Sequence, residues 1–177
     1  MTLAYINTPE RGKSDRLLTA LATQLNQNKV RLSGVVQSNT LCTDSDLCDM
    51  DVQVLPDGPT IRISQSLGNG SRGCRLDPTA LEQAVGLVSA SLSGTQMPLP
   101  DLMIINKFGK HEADGRGFRP LIGDALVAEV PVLTAVNATN EAAFLEFAGE
   151  VAVRVASDLD ALTAWFDALR AKENLSA

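Results

Sequence analysis

The sequence predicts an α/β domain, with helices on both faces of a mostly parallel sheet, and three observations predict it. Short apolar runs alternate with segments whose apolar residues recur every three or four positions. Residues 102–105 are apolar at every position, as a strand covered on both faces must be. Strand, helix and strand follow one another at the start of the chain, the order of a right-handed crossover.

The elements are justified in turn. Residues 2–6 are a short buried strand. Residues 15–27 carry Leu17, Leu18, Leu21, Ala22 and Leu25 at helical spacing, and residues 30–37 make a second strand. Residues 38–73 break the alternation: they open acidic and turn-rich, and two alternating runs, 50–55 and 60–64, then flank Pro56-Asp57-Gly58-Pro59. That is a β-hairpin, an antiparallel insertion on a parallel sheet. Asp77 followed by Pro78 is a helix start, a side-chain acceptor before a first-turn proline. The helix should run to about Ser91. After the 102–105 strand, Pro120 opens a helix through Ala128, and residues 131–136 form a strand. Asn140 caps a helix through Phe147, residues 151–155 make a last strand, and Asp158 caps a C-terminal helix to about Arg170. One domain of 177 residues follows.

Composition narrows the function. The 45% hydrophobic content fits a packed domain. A net charge of −6 argues against nucleic-acid binding by bulk electrostatics. No apolar run approaches the roughly 18 residues of a membrane span, and the N-terminus does not read as a secretory signal, so a cytoplasmic location is expected. Cys42, Cys48 and Cys74 lack zinc spacing and read as free thiols, and His111 is the single histidine.

The chemistry concentrates in loops. Residues 7–14, NTPERGKS, match the phosphate-binding pattern GxxxxGK[ST] except that Asn7 replaces its first glycine. Asn tolerates a positive φ better than most residues, so Asn7 reads as a softened replacement. Backbone amides around Asn7, Thr8, Gly12, Lys13 and Ser14 would then meet an oxyanion at a helix N-terminus. Lys13 would neutralise its charge, and the Ser14 hydroxyl would reach a Mg2+ carried with a nucleotide. At the end of the 102–105 strand stand Asn106 and Lys107, where such proteins carry acids. Asn106 would bind magnesium weakly, and Lys107 would attract an anion. Glu112 is the carboxylate near enough to orient a water. Arg72 and Arg75 offer forks for phosphate, molybdate or carboxylate, and Lys110, Arg116 and Arg119 follow in a second glycine-rich stretch. Because loops after parallel strands gather at one edge, those after Ile6, Gln37 and Ile105 should meet there. Glu141, Glu146 and Glu150 are expected to face solvent.

At these residues the chain resembles a family of uncharacterised bacterial proteins, domain of unknown function 2478, itself similar to small P-loop nucleoside triphosphatases. The resemblance rests on GVVQ at 34–37, GCRLDPTALE at 73–82, NKFGKHEADGRGFRPLI at 106–122 and PVLTAV at 131–136. It implies a P-loop-like three-layer fold. It also implies loss of an Asp-Glu pair at Asn106 and Lys107, with Gly109, Lys110 and Glu112 retained. The family is further associated with molybdate uptake genes. The expected function is binding of a nucleotide phosphate or similar oxyanion, with weak or no hydrolysis. The alternatives are a molybdate or tungstate sensor or chaperone, and a degenerate nucleotide fold serving as an interaction module. The hairpin's strand edge leaves pairing with another copy or another protein open.

Overall fold

The computed structural model describes residues 1–40, 49–65, 75–93 and 98–176. Arg72, the three cysteines and the glycines at 68, 70 and 73 lie outside the described residues.

Strand β1 (Leu3–Ile6) leads to helix α1 (Lys13–Gln27), then β2 (Leu32–Thr40), β3 (Asp49–Val54) and β4 (Thr60–Arg62). Helix α2 (Pro78–Ser89), β5 (Leu102–Phe108), a one-turn α3 (Lys110–Ala113) and α4 (Arg119–Val127) follow. The chain ends in β6 (Val132–Val136), α5 (Glu141–Ala148), β7 (Ala152–Arg154) and α6 (Leu159–Ser176). The sheet order is β4-β3-β2-β5-β6-β1-β7. Pairings from β2 through β5, β6 and β1 to β7 are parallel, while β3 and β4 join antiparallel at the β2 edge. The fold is therefore the expected P-loop-like α/β domain with a hairpin insertion.

Strand alternation divides the core into two layers. Leu3, Tyr5, Met103 and Ile105 face the layer of Leu81, Phe118, Ile122 and Phe144, contributed by α2, α4, α5 and the turn before α4. Ala4, Ile6, Leu102 and Ile104 face Leu18, Leu21, Leu162 and Phe166 of α1 and α6. Gly34 lets β2 approach β5: its φ is 104°, and a Cβ there would lie 1.9 Å from the Ile104 carbonyl oxygen.

Caps follow residue chemistry, with one shift. The Asp77 carboxylate accepts from the amides of Thr79 and Ala80 at 2.9 and 3.2 Å, and Asp158 accepts from Ala161 at 2.8 Å. Asn140 precedes α5 but makes no side-chain cap. Its own amide donates to Oδ1 of Asn137 at 2.9 Å, so the polar turn begins three residues earlier. Strand β5 also runs beyond the expected 105. Thr134 bridges its irregular end, donating to the Ile105 carbonyl at 2.8 Å while accepting from the Phe108 amide at 3.1 Å. The register shift between Ile105 and Phe108 accommodates Asn106 and Lys107 inside the strand.

Candidate functional site

The loop from Asn7 to Gly12 leaves β1 and enters α1. Gly12 has φ 73°, a left-handed conformation that suits glycine, and no side chain caps the helix it opens. The Lys13 amide donates back to the Glu10 carbonyl at 3.3 Å, and an exposed Glu10–Arg16 ion pair closes the outside of the loop. The first turn of α1, with Lys13 and Ser14, thus has main-chain donors without a capping acceptor, the arrangement that favours anions.

Asn7 does not take the conformation expected of it. Among the described residues only Lys29 and Glu129 are non-glycine with positive φ. Asn7 is instead tied down by its side chain, whose Nδ2 donates to Oε2 of Glu141 at 3.0 Å, and by its carbonyl, which accepts from Ser157 Oγ at 3.0 Å. Glu141 corrects a second expectation. Glu146 and Glu150 are exposed, but Glu141 is half-buried and turns toward the loop. Burial raises the Tyr5 phenol above its ordinary pKa, and the neighbouring Glu141 charge and hydrogen bond raise it further.

The start of α1 and the C-terminal ends of β2 and β5 meet at Asp15. This carboxylate, 5% exposed, follows Ser14 directly. Its Oδ2 accepts from Asn39 Nδ2 at 2.7 Å, and Asn39 Oδ1 accepts from Gln37 Nε2 at 2.8 Å. Lys107 Nζ lies 3.9 Å from Asp15 Oδ1. The ammonium of β5 therefore sits against the start of α1. Nothing in residue spacing singled out Asn39 and Glu141. Asp15 carried one signal, its place immediately after Gly-Lys-Ser.

Asn106 is 3% exposed, and neither its Nδ2 nor its Oδ1 has a hydrogen-bond partner among the described residues. It lines a cavity of 690 Å³ that also takes in Arg75, Lys107, Lys110 and Glu112. Apolar walls come from Met50, Ile63, Leu81 and Phe118. Asn7, Thr8, Gly12, Lys13 and Ser14 do not line it. The structure thus gathers Arg75, Asn106, Lys107 and Lys110 in one cavity beside the loop, with Lys107 reaching between the two.

Glu112 is buried, and both carboxylate oxygens are occupied. Oε2 accepts from the Gly109 amide at 2.9 Å and Oε1 from the Phe118 amide at 3.2 Å. Burial raises its pKa, while these amide hydrogen bonds and the nearby His111 pull it down. Gly117, at φ 59°, makes room: a Cβ there would lie 2.4 Å from Oε1. Arg119 does not join the cationic cluster. It donates to the Ala113 carbonyl at 3.2 Å and stacks its guanidinium 4.7 Å from the Phe147 ring centre. Arg116 pairs with Asp114 at 3.3 Å, and Arg75 with Asp49 at 3.3 Å.

These donors do not make a protein-held magnesium site. Magnesium needs hard oxygen ligands, commonly one or two carboxylates. Asp15, the carboxylate nearest Ser14 in sequence, faces an ammonium, and Asn106 carries no charge. Among the described residues no three His, Cys, Asp or Glu side chains gather as a metal group. No helix among them is long and apolar enough to cross a membrane.

Fold and loop together define the class, a P-loop-NTPase-like α/β protein. Within that class the chain belongs to the family described as Protein of unknown function (DUF2478), which matches residues 3–165. It is 34% identical over 154 residues to the Molybdenum import ATP-binding protein ModC 2 of Bradyrhizobium diazoefficiens. That match takes in 86% of this chain but spans only 16% of the relative's length. The crystal structure of THEP1 from the hyperthermophile Aquifex aeolicus is similar in fold, with TM-score 0.61 at 13% identity over 96% of each chain.

Proposed function

We propose that this protein binds the phosphates of a nucleotide, or a similar oxyanion, at the loop between β1 and α1, with weak or no hydrolysis. The observation that carries the reading is the uncapped start of α1, opened by left-handed Gly12 and followed by Lys13 and Ser14. In this reading the amides of Gly12 and Ser14, with that of Lys13 once it leaves the Glu10 carbonyl, hold the anion, and Lys107 adds charge from β5. Asn7 and Thr8 shape the loop's entry. Similarity to an ATP-binding relative supports a nucleotide as the anion.

Hydrolysis is expected to be slow for local reasons. Much of phosphoryl-transfer catalysis comes from placed metal and charge. Here magnesium would arrive on the nucleotide's phosphates, with Ser14 as a contact. Glu112 is buried and already accepts from the Gly109 and Phe118 amides, which ties its carboxylate to its own turn. The relative's name also favours a second reading, molybdate or tungstate as the bound oxyanion. Isothermal titration calorimetry with ATP, GTP and molybdate, each with magnesium and with EDTA, tests both. Nucleotide binding that disappears in Lys13→Ala supports the first reading. Magnesium-independent molybdate binding without nucleotide binding supports the second. Absence of heat with all three ligands overturns both and leaves the fold as an interaction module.

A further inference from the structure

The two halves of the loop between β1 and α1 are held differently. Pro9, Glu10 and Arg11 in its second half are exposed. Asn7, in its first half, is half-buried and fixed on two sides. Its carbonyl accepts from Ser157 Oγ at 3.0 Å, and its side-chain amide donates to Glu141 at 3.0 Å. Ser157 follows β7, and Glu141 opens α5 after β6. Strands β6 and β7 are the two neighbours of β1 in the sheet. The first position of the phosphate-binding pattern is therefore tied to the segment after each neighbouring strand.

Glu141 is itself anchored. Tyr5, 6% exposed on β1, hydrogen-bonds to its carboxylate. One turn further along α5, buried Phe144 meets the Tyr5 ring with 4.9 Å between centroids. Packing of α5 on β1 thus sets the carboxylate beside Asn7. A glycine at position 7 has no side chain to reach it. The residue that departs from the usual pattern is the one that carries the tether.

We infer that Glu141 is a positioning residue for the anion loop: through Asn7 it holds the loop's first half in the binding conformation. This rests on the proposed function and names a residue of α5 on which the same loop depends. Two effects oppose each other at Glu141. Its charge disfavours an anion at the loop. Its tether removes an ordering cost from binding, and fixing one residue's backbone is worth on the order of tenfold in affinity. The tether outweighs the charge.

Calorimetry with inorganic phosphate, and with ATP in magnesium, tests this. Asn7→Ala and Glu141→Leu should each weaken binding by about tenfold. The double variant should be no weaker than either single one, because both remove the same contact. Glu141→Gln keeps an acceptor for Asn7 and drops the charge, so it should bind at least as tightly as the natural chain. Asn7→Gly restores the usual pattern, yet it should weaken binding. Tyr5 is the only tyrosine in the chain, so its ultraviolet titration reads the carboxylate's position without any ligand. Its pKa, raised by burial and then by Glu141, should fall in both Glu141 variants and stay raised in Asn7→Ala. Should Glu141→Leu fail to fold, Asn7→Ala, Asn7→Gly and Glu141→Gln carry the test. A natural chain that binds, with Asn7→Ala binding equally well, overturns the inference and leaves the proposed function standing. So do losses that add in the double variant, binding by Glu141→Gln as weak as by Asn7→Ala, or a Tyr5 titration that does not move in Glu141→Gln. A natural chain that binds neither probe removes the proposed function and the inference with it.

Discussion

Replacing Glu112 by Gln tests whether this carboxylate organises the loop or serves chemistry. Its two oxygens accept from Gly109 at 2.9 Å and Phe118 at 3.2 Å. Gln offers one acceptor and turns an NH2 donor toward the other amide. One buried N–H loses its partner, which costs about 1–3 kcal/mol. The pH dependence has a definite sign. Burial holds the folded pKa of Glu112 above its ordinary value near 4.5, so the folded chain retains this proton more tightly than the unfolded chain. Its contribution to stability is fully present below that ordinary value and is lost as pH rises through the raised folded pKa. Gln cannot titrate. The destabilisation caused by Glu112→Gln should therefore be largest in acid and should narrow toward neutral pH. Urea unfolding followed by Trp165 fluorescence reads this directly. At a slope of about 2 kcal/mol/M, the acid-side loss moves the midpoint down by about 0.5–1.5 M. A gap that widens with pH would refute the reasoning, because it would mean that the charged carboxylate is the stabilised form. An unchanged midpoint, together with loss of magnesium-dependent ATP hydrolysis, would instead make Glu112 catalytic.

Other expectations rest on equally local features. Gly34→Ala should yield an unfolded or aggregated chain by circular dichroism, since its Cβ would fall 1.9 Å from the Ile104 carbonyl oxygen in the middle of the sheet. Asp77→Ala removes the acceptor of two first-turn amides and should lower stability by about 1 kcal/mol in urea unfolding. Lys107→Ala leaves buried Asp15 with its Asn39 bond but without its cation. Because Lys107 is substantially exposed, the loss should be only about 1 kcal/mol, while phosphate affinity at the loop should fall measurably in calorimetry.

Most of the fold was legible because its signals are local. The Asp77-Pro78 start, the hairpin around residues 56–59 and the fully apolar run at 102–105 each depend on neighbours in sequence. The end of β5 was not legible in this way. Asn106 and Lys107 look like strand-terminating residues, yet Thr134 of β6 holds the two sides of the irregularity and carries the strand on to Phe108. The one-turn α3 was missed for a related reason: four residues give no periodicity, and its first turn is closed by buried Glu112 accepting from the Gly109 amide. Glu141 misled because its spacing on α5 is that of a solvated acid. Its partner, Asn7, lies 134 residues away, and the parallel pairing of β1 with β6 brings the ends of these strands together.

The charge arrangement at Asp15 gives Lys107 on β5 more weight in the proposed anion binding than the missing glycine at Asn7. Asn7 loses conformational freedom, but the tight turn the motif needs is still supplied at Gly12. Lys107 has no such substitute. An ammonium 3.9 Å from Asp15 fixes positive charge between β5 and the start of α1 as part of the chain. A Lys107→Asp substitution would bring two carboxylates together there, a site that gains from a bound cation. The natural chain should thus bind a simple oxyanion equally well with or without magnesium, whereas Lys107→Asp should need the metal. Calorimetry with inorganic phosphate, in EDTA and in magnesium, separates the two. Phosphate binding by the natural chain that vanishes in EDTA would show that the lysine does not serve as the site's cation.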